Sequence, residues 1–458
     1  MNAPLSPEAM AKAGLCIGCG ACAGLSRDAS ARMGWDAEGQ LKPAGDPAWR
    51  TQPSLDFATL CPFSPHAANE DVIAAECFSH AAAVDPAIGR FHRAYVGHAE
   101  EGQYRERGSS GGMAGWVAEE LLRRGLVDGV AHVAPVDPAE GALFRYRISR
   151  NVDALRSGAK SRYYPIELSA ILREILAIPG RYAVVGIPCF IKAVHLARRQ
   201  HPLLRERIVH TLGLVCGHMK SRHMVESFAW QMQTRIEDVQ AVDFRVKDAT
   251  RPANWYRAKL THRDGATRAQ DWWHLVDGDW GSGFFQNRAC DWCDDVVAET
   301  ADISFGDAWV EPYSSDGRGT NVVVVRSRAM LDLIEQGCAE GRVTLKPVDA
   351  AFVVETQAAG FRQRREGLAY RLSWRHGAIR PLKRVTPGHD LPIRRKLIYR
   401  GRHAIARGSV ALFRAARRLR RPALFIGGGR AMLTVYQALT YSRGRLGRLF
   451  DWLGPAAR

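Results

Sequence analysis

No export signal opens this sequence: MNAPLSPEAM is mixed and polar, without the charged stretch and apolar run that secretion requires. A cytoplasmic protein is therefore the expectation. Nor is there an apolar segment fit to span a bilayer, since the best one, 423–439, is short and interrupted by Gly427, Gly428, Gly429 and Arg430. Internal repeats and low-complexity tracts are missing too, which sets aside solenoids and repeat arrays. Acidic residues almost vanish after position 375: residues 376–458 hold 19 Lys plus Arg against Asp390 and Asp451 alone, a surplus equal to the whole net charge of +17. The rest of the chain is neutral, so the basic character belongs to the tail.

What remains fits a globular enzyme. At 458 residues and 46% hydrophobic, the chain can bury a large core and exceeds what one domain usually holds. A disulfide framework does not suit a chain this long. The cysteines are instead grouped. Cys16, Cys19 and Cys22 follow C-x-x-C-x-x-C spacing, and the remote Cys61 precedes Pro62, the pattern by which bacterial ferredoxins hold an iron–sulfur cluster. Zinc is the competing ligand, but its sites usually divide their donors into two separated pairs. Gly18 and Gly20 give such a loop backbone freedom.

A second group lies mid-chain: Cys189 in GIPCF, Cys216 in GLVCGH, and Cys290 with Cys293 in RACDWC. The apolar runs 182–187 and 208–215 place Cys189 and Cys216 at the carboxyl ends of buried strands, where α/β sheets carry their sites. Each alone could be a small buried hydrophobe; the C-x-x-C pair argues for four shared ligands. Cys77 and Cys338 have no partner spacing and are taken as structural or incidental.

Five stretches, SSGGMAGWVAEELL at 109–122, KSRYYPIE at 160–167, VVGIPCF at 184–190, LVCGH at 214–218 and CDWCDDVVAETADISFGDAW at 290–309, carry a resemblance through their order and spacing. Together they resemble the beta-subunit family of deazaflavin-reducing hydrogenases and formate dehydrogenases, which includes 7-hydroxymethyl chlorophyll a reductase and one class of divinyl chlorophyllide reductases. The likeness covers about 90–360. It implies that Cys189, Cys216, Cys290 and Cys293 hold a 4Fe-4S cluster beside a non-covalent FAD, and that Cys16, Cys19, Cys22 and Cys61 hold a second 4Fe-4S cluster, as in the pigment reductases.

Ser109, Ser110, Gly111 and Gly112 precede an apolar helical pattern, so they are expected as an N-cap and an anion-accepting helix start suited to a flavin pyrophosphate; an ordinary helix cap is the plainer alternative. In KSRYYPIE, relatives commonly show Lys at the position of Arg162, or of Lys160 if the alignment shifts by two. Either cation could stabilise a reduced flavin, or simply be a solvated surface charge. Asp302 and Asp307 flank a short alternating run; Asp307 is a candidate for a flavin hydroxyl, and both could be turn residues. His218 could meet a cluster sulfide, deliver a proton, or be structural. No general acid is assigned, and Lys160, Arg162 and His218 stay candidates. Trp272, Trp273 and Trp280 fit either a wide aromatic pocket or a tryptophan-rich core.

Strand-like runs at 129–133, 182–187, 208–215 and 322–325 alternate with helical patterns at 165–178 and 330–340, arguing for an α/β (mixed α+β) core. Three regions are expected: 1–88, a loop-rich ferredoxin-like 4Fe-4S segment; 89–360, the catalytic core binding FAD and 4Fe-4S; and 361–458, a basic, partly helical C-terminal extension. In that extension Leu412, Phe413 and Leu419 interleave with Arg414, Arg417, Arg418, Arg420 and Arg421, the pattern of a basic amphipathic helix on the anionic inner face of a membrane. An acidic ferredoxin, an acidic partner subunit, nonspecific nucleic acid, or mere solvation are the alternatives, and no specific nucleic-acid partner is expected.

The leading expectation is an iron–sulfur flavoprotein oxidoreductase that takes electrons from a ferredoxin or similar donor, through two 4Fe-4S clusters and FAD, to a small unsaturated substrate. The alternative is an electron-transfer subunit relaying electrons between a deazaflavin or ferredoxin and a partner enzyme. A non-catalytic iron–sulfur sensor is weaker, because the FAD-associated stretches argue against it. The resemblance also implies a candidate homo-oligomer.

Overall fold

The computed structural model describes residues 4–374, 377 and 379–454. At its centre is an eight-stranded mixed sheet. In chain order its strands are β1 (Arg93–Ala99), β2 (Gly129–Pro135), β3 (Phe144–Ser149), β4 (Tyr182–Gly186), β5 (Ile208–Leu214), β6 (Ile303–Asp307), β7 (Asn321–Val325) and β8 (Val343–Val348). Across the sheet they run β8-β1-β7-β6-β5-β4-β2-β3. The inner four, β6, β5, β4 and β2, are parallel. Antiparallel strands flank them on both sides.

The expected runs form β2, β4, β5 and β7, since each is an apolar stretch that a sheet covered on both faces can bury. All five residues of β7 are buried. On one face, Trp116, Val117 and Leu121 of the helix Met113–Arg123 pack with Met330 and Ile334 of the helix Arg328–Ala339 over Val130, Ala183, Leu212 and Val323. On the other, Ile171 and Leu172 of the helix Ser169–Ala177 join Phe190 and Val194 of the helix Pro188–Gln200 over Ala131, Tyr182 and Val184. The expected helix at 165–178 starts later, at Ser169. Residues before it serve the N-terminal segment instead: the Leu168 amide donates to the Cys19 carbonyl at 2.8 Å.

That N-terminal segment is not a free bead. Met10, Leu15, Ile17, Leu60 and Phe63 share the core of Ile171, Leu172 and Phe190. The C-terminal region is likewise built in. Its helices Ile393–Arg418 and Pro422–Tyr441 pack on the three-stranded sheet Val239–Val246, Arg257–His262 and Thr267–Asp271 and the segment after it. Here the structure corrects the sequence: Phe413 is 0% exposed, stacked 4.3 Å from Trp230, so it serves the protein core and cannot face a membrane. Leu419 stays exposed among the arginines. Among the described residues no helix is long and apolar enough to cross a membrane.

Candidate functional site

The first cysteine group is gathered by a tight loop. Cys16 follows the helix Pro7–Lys12; Cys22 lies in the short helix Ala21–Gly24; Cys61 ends the helix Leu55–Leu60, which Ser54 caps through the Phe57 amide at 3.3 Å. Gly18 and Gly20 have φ of +83° and +77°. A Cβ on Gly18 would stand 2.4 Å from the Leu41 carbonyl oxygen, and one on Gly20 would stand 2.2 Å from the Glu167 carboxylate and 3.1 Å from the Leu168 amide. Only glycine fits both the angle and the space. Gly20→Ala is expected to cost about 1–2 kcal/mol through the backbone angle and to displace Glu167 as well. A lowered urea midpoint would check it, and an unchanged midpoint would refute it.

The thiols of this group sense one another. Burial pushes Cys61 up to about 12, with Cys16 adding to it. Cys19 rises first by burial and then through Cys61 and Cys16, and Cys22 rises by burial and then through the other three.

The second group forms where the parallel strands end. Cys189 sits in the first turn of the helix that follows β4, and Cys216 two residues past β5. Cys290 lies in the turn Arg288–Trp292, and Cys293 follows it. Burial lifts Cys216 to about 11, and it raises the other three as well. Cys189 senses Cys293, Cys216 and Cys290, and also Cys19, so the two groups are neighbours. The buried Tyr146 is near both, being perturbed by Cys189 and Cys19 after its own burial.

Among the described residues no three His, Cys, Asp or Glu side chains close tightly enough for one metal ion. A single zinc needs thiolates about 2.3 Å from one point, whereas an iron–sulfur cube separates its thiolates across its corners. Cys189, Cys216 and Cys290 each sense other thiols of the inner set, with Asp294 and Asp295 near Cys293, and four thiols so gathered fit the donor set of a cluster. Cys77 lies elsewhere, 3.6 Å from His195 Nδ1, and Cys338 belongs to the helix Arg328–Ala339.

Beside the second group opens a cavity of about 1150 Å³. This exceeds the roughly 300–1,000 Å³ of ordinary ligand pockets. Cys216 is part of its wall, as are Ser109, Ser110, Gly112, Lys160 and Arg162. His218, Asp307, Trp272, Trp273 and Trp280 line it too.

The individual roles differ from expectation. Ser109 and Ser110 do not cap the following helix: its N-cap is Gly112, with φ +83° and no side-chain hydrogen bond. Ser109 Oγ accepts from the Ser161 amide at 2.8 Å, and Ser110 Oγ donates to the Thr320 carbonyl at 3.0 Å, so both hydroxyls join loops across the chain. The Met113 amide at the helix start is already taken by Asn321 Oδ1 at 3.1 Å. Gly111 is held close to the sheet, where a Cβ would meet the Asn321 amide at 2.8 Å.

Lys160 has φ +92° and pairs with Asp243 at 2.5 Å. Arg162 is no solvated charge: its guanidinium lies 4.9 Å from the Phe144 ring centre and donates to the Ala159 carbonyl at 2.9 Å. Asp307 forms a two-armed ion pair with Arg245, at 2.9 and 3.1 Å. Asp302 is structural, accepting from the Thr211 amide and hydroxyl at 2.8 and 2.7 Å. His218 is buried, stacked on Trp280 at 4.5 Å, with Arg402 Nη2 3.2 Å from its Nδ1. Burial, then Lys220 and Arg402, hold it well below the ordinary histidine value. Trp272 is buried, while Trp273 is 45% exposed at the cavity rim.

Arg245, Lys220 and Arg402 were not legible from motifs. Lys220 is buried with Nζ donating to the Phe284 carbonyl at 2.7 Å and 4.7 Å from the Trp280 ring centre, and burial brings it down to about 7. Its place four residues beyond Cys216 was the one available signal.

The family model for the coenzyme F420 hydrogenase/dehydrogenase beta subunit N-terminus matches residues 94–173, and that for its C-terminus matches residues 180–351. A curated relative, one of the subunits of the F(420)H(2) dehydrogenase of Methanosarcina mazei, is 24% identical over 206 residues, 43% of this chain and 51% of that protein. The chain thus spans about half the length of that relative. A chain of the F420-reducing NiFe hydrogenase complex from Methanosarcina barkeri aligns with a TM-score of 0.49 at 16% identity, over 64% of this chain and 95% of that one.

Proposed function

We propose, from the premise that this chain belongs to the coenzyme F420 hydrogenase/dehydrogenase beta-subunit family of electron-transfer oxidoreductases, that it is a reductase carrying two 4Fe-4S clusters and FAD, fed by a ferredoxin-like donor and acting on a small unsaturated substrate. One observation carries this: two sets of four thiols stand side by side, and the second reaches the wall of the large cavity through Cys216. When bound, clusters carry single electrons and a flavin exchanges both one and two.

The chain's own residues define the rest. Cys16, Cys19, Cys22 and Cys61 would hold the outer cluster, and Cys189, Cys216, Cys290 and Cys293 the inner one. The strip from Leu214 to Lys220 belongs to both the inner cysteines and the cavity. Ser109, Ser110, Gly111 and Gly112 would bring backbone close to a dinucleotide, with Lys160 and Arg162 supplying positive charge. Asp307, locked by Arg245, fixes one wall. Trp273 and Trp280 offer aromatic faces to a planar substrate. The fused outer set of cysteines favours a self-contained reductase over a subunit that only relays electrons.

Anaerobic purification with iron, sulfide and flavin quantitation tests this. About eight irons per chain and one FAD are expected. Zinc without flavin would overturn the proposal.

A further inference from the structure

Arg364 ends the helix Ala358–Arg364, beyond residue 351 where the family match stops. It is 3% exposed, yet it faces the inner cysteines. Nη1 donates to the Cys216 carbonyl at 2.7 Å and Nη2 to the Gly217 carbonyl at 2.9 Å. Its Nε is buried without a hydrogen-bond partner. Among the described residues it makes no ion pair at salt-bridge distance, unlike Lys383, whose charge near Cys293 is met by Asp294 at 3.0 Å.

The charges that face Arg364 are few. Burial works against its cationic form, and Cys293, Cys216, Cys290 and then Asp295 favour it. Arg371 and His218 are also within electrostatic reach. Both of its terminal nitrogens meet the chain at Cys216 and Gly217, so its positive charge is held beside the inner cysteines.

We infer that Arg364 is a positioning residue that sets the reduction potential of the group held by Cys189, Cys216, Cys290 and Cys293. This rests on the proposal that those cysteines hold an iron–sulfur cluster. Adding one electron to such a cluster, with no proton, raises the negative charge beside a fixed guanidinium in a water-poor interior. Coulombic attraction is strong there, so the reduced form is favoured and the potential rises. The two carbonyl contacts hold the Cys216–Gly217 peptide in place. That peptide also borders the cavity, so the residue that raises the potential of the inner group stands next to the proposed substrate site.

The test is a redox titration of the full-length protein, purified anaerobically, followed by electron paramagnetic resonance of both clusters. Arg364→Gln and Arg364→Met are expected to shift one cluster to lower potential and leave the other unmoved, with iron and flavin content retained. Arg364→Lys, which keeps the charge but not the fork, should stay nearer the wild-type potential. Unchanged potential in Arg364→Gln with full iron content would overturn the inference. Should the Met and Gln variants lose iron, Arg364→Lys decides: a retained potential supports the charge, and a fall equal to that of a neutral residue would refute it. Iron-free wild-type protein would instead overturn the cluster proposal itself.

Discussion

Cys290→Ser, purified without oxygen, is expected to lose about half of the bound iron, four of about eight atoms per chain, and to hold FAD more loosely. Cys290 is tied to its surroundings by the Met219 amide, which donates to Sγ at 3.2 Å. Met219 is in the same strip as Cys216 and Lys220, and all three line the cavity. Losing the inner group therefore frees one wall of the proposed flavin site. Cys19→Ser makes the contrast, because Cys16, Cys19, Cys22 and Cys61 surround a separate small pocket away from the cavity. That variant should lose the outer iron, keep FAD, and fail to accept electrons from ferredoxin. Full iron content in Cys290→Ser would show that the four central cysteines do not share a ligand.

Arg384→Ala should destabilise the protein by about 3–5 kcal/mol, the cost of leaving buried carboxylates without their cation. Arg384 holds Glu299 by two arms, at 2.6 and 2.8 Å, and reaches Asp294 at 3.4 Å and Asp71 at 3.0 Å. Behind it Lys192 pairs with Glu70 at 3.1 Å. Residues from the N-terminal segment, the sheet core and the C-terminal region thus share one buried network. Urea denaturation would measure the loss as a lower midpoint at unchanged slope.

The loss should also depend on pH. Burial raises Glu299 to about 7, while Arg384 pulls it down. A carboxyl whose folded value is raised favours the folded state at low pH, and this contribution fades as pH climbs through the folded value. Removing Arg384 raises Glu299 further, so the deficit should be larger at pH 8 than at pH 5. An Arg384→Ala/Glu299→Gln pair should recover part of it, and equal loss in the double variant would refute the assignment.

Much of this was legible before the fold was known. The valine-rich runs of β4 and β7 are buried strands, β5 is an apolar run interrupted by His210 and Thr211, and the cysteines that follow β4 and β5 are placed by chain direction alone. Glycines at 18 and 20 announced a loop in need of backbone freedom, and both adopt positive φ. Other features were hidden because their meaning is purely tertiary. An arginine-rich helix reads as a solvated or membrane-facing surface, yet Phe413, Arg402 and Arg394 turn inward. Arg245 and Asp307 are 62 positions apart and meet only across two sheets. Ser109 and Ser110 had the composition of a helix cap, but Gly112 at positive φ does that job and releases both hydroxyls.

The contact between Asn287 and the first cysteine loop bears on the order of events at the ribosome. Asn287 Nδ2 donates to the Ile17 carbonyl at 3.3 Å across 270 positions. At 5–20 residues per second, on the order of 15 to 50 s separates the emergence of the two. The first three cysteines therefore leave the exit tunnel long before the segment that secures them. The loop that carries Cys16, Cys19 and Cys22 thus gains its Asn287 contact only when the segment bearing Cys290 and Cys293 has also emerged. Completion of the first cysteine loop and of the second cysteine group therefore coincides in time, although the residues lie far apart in the message.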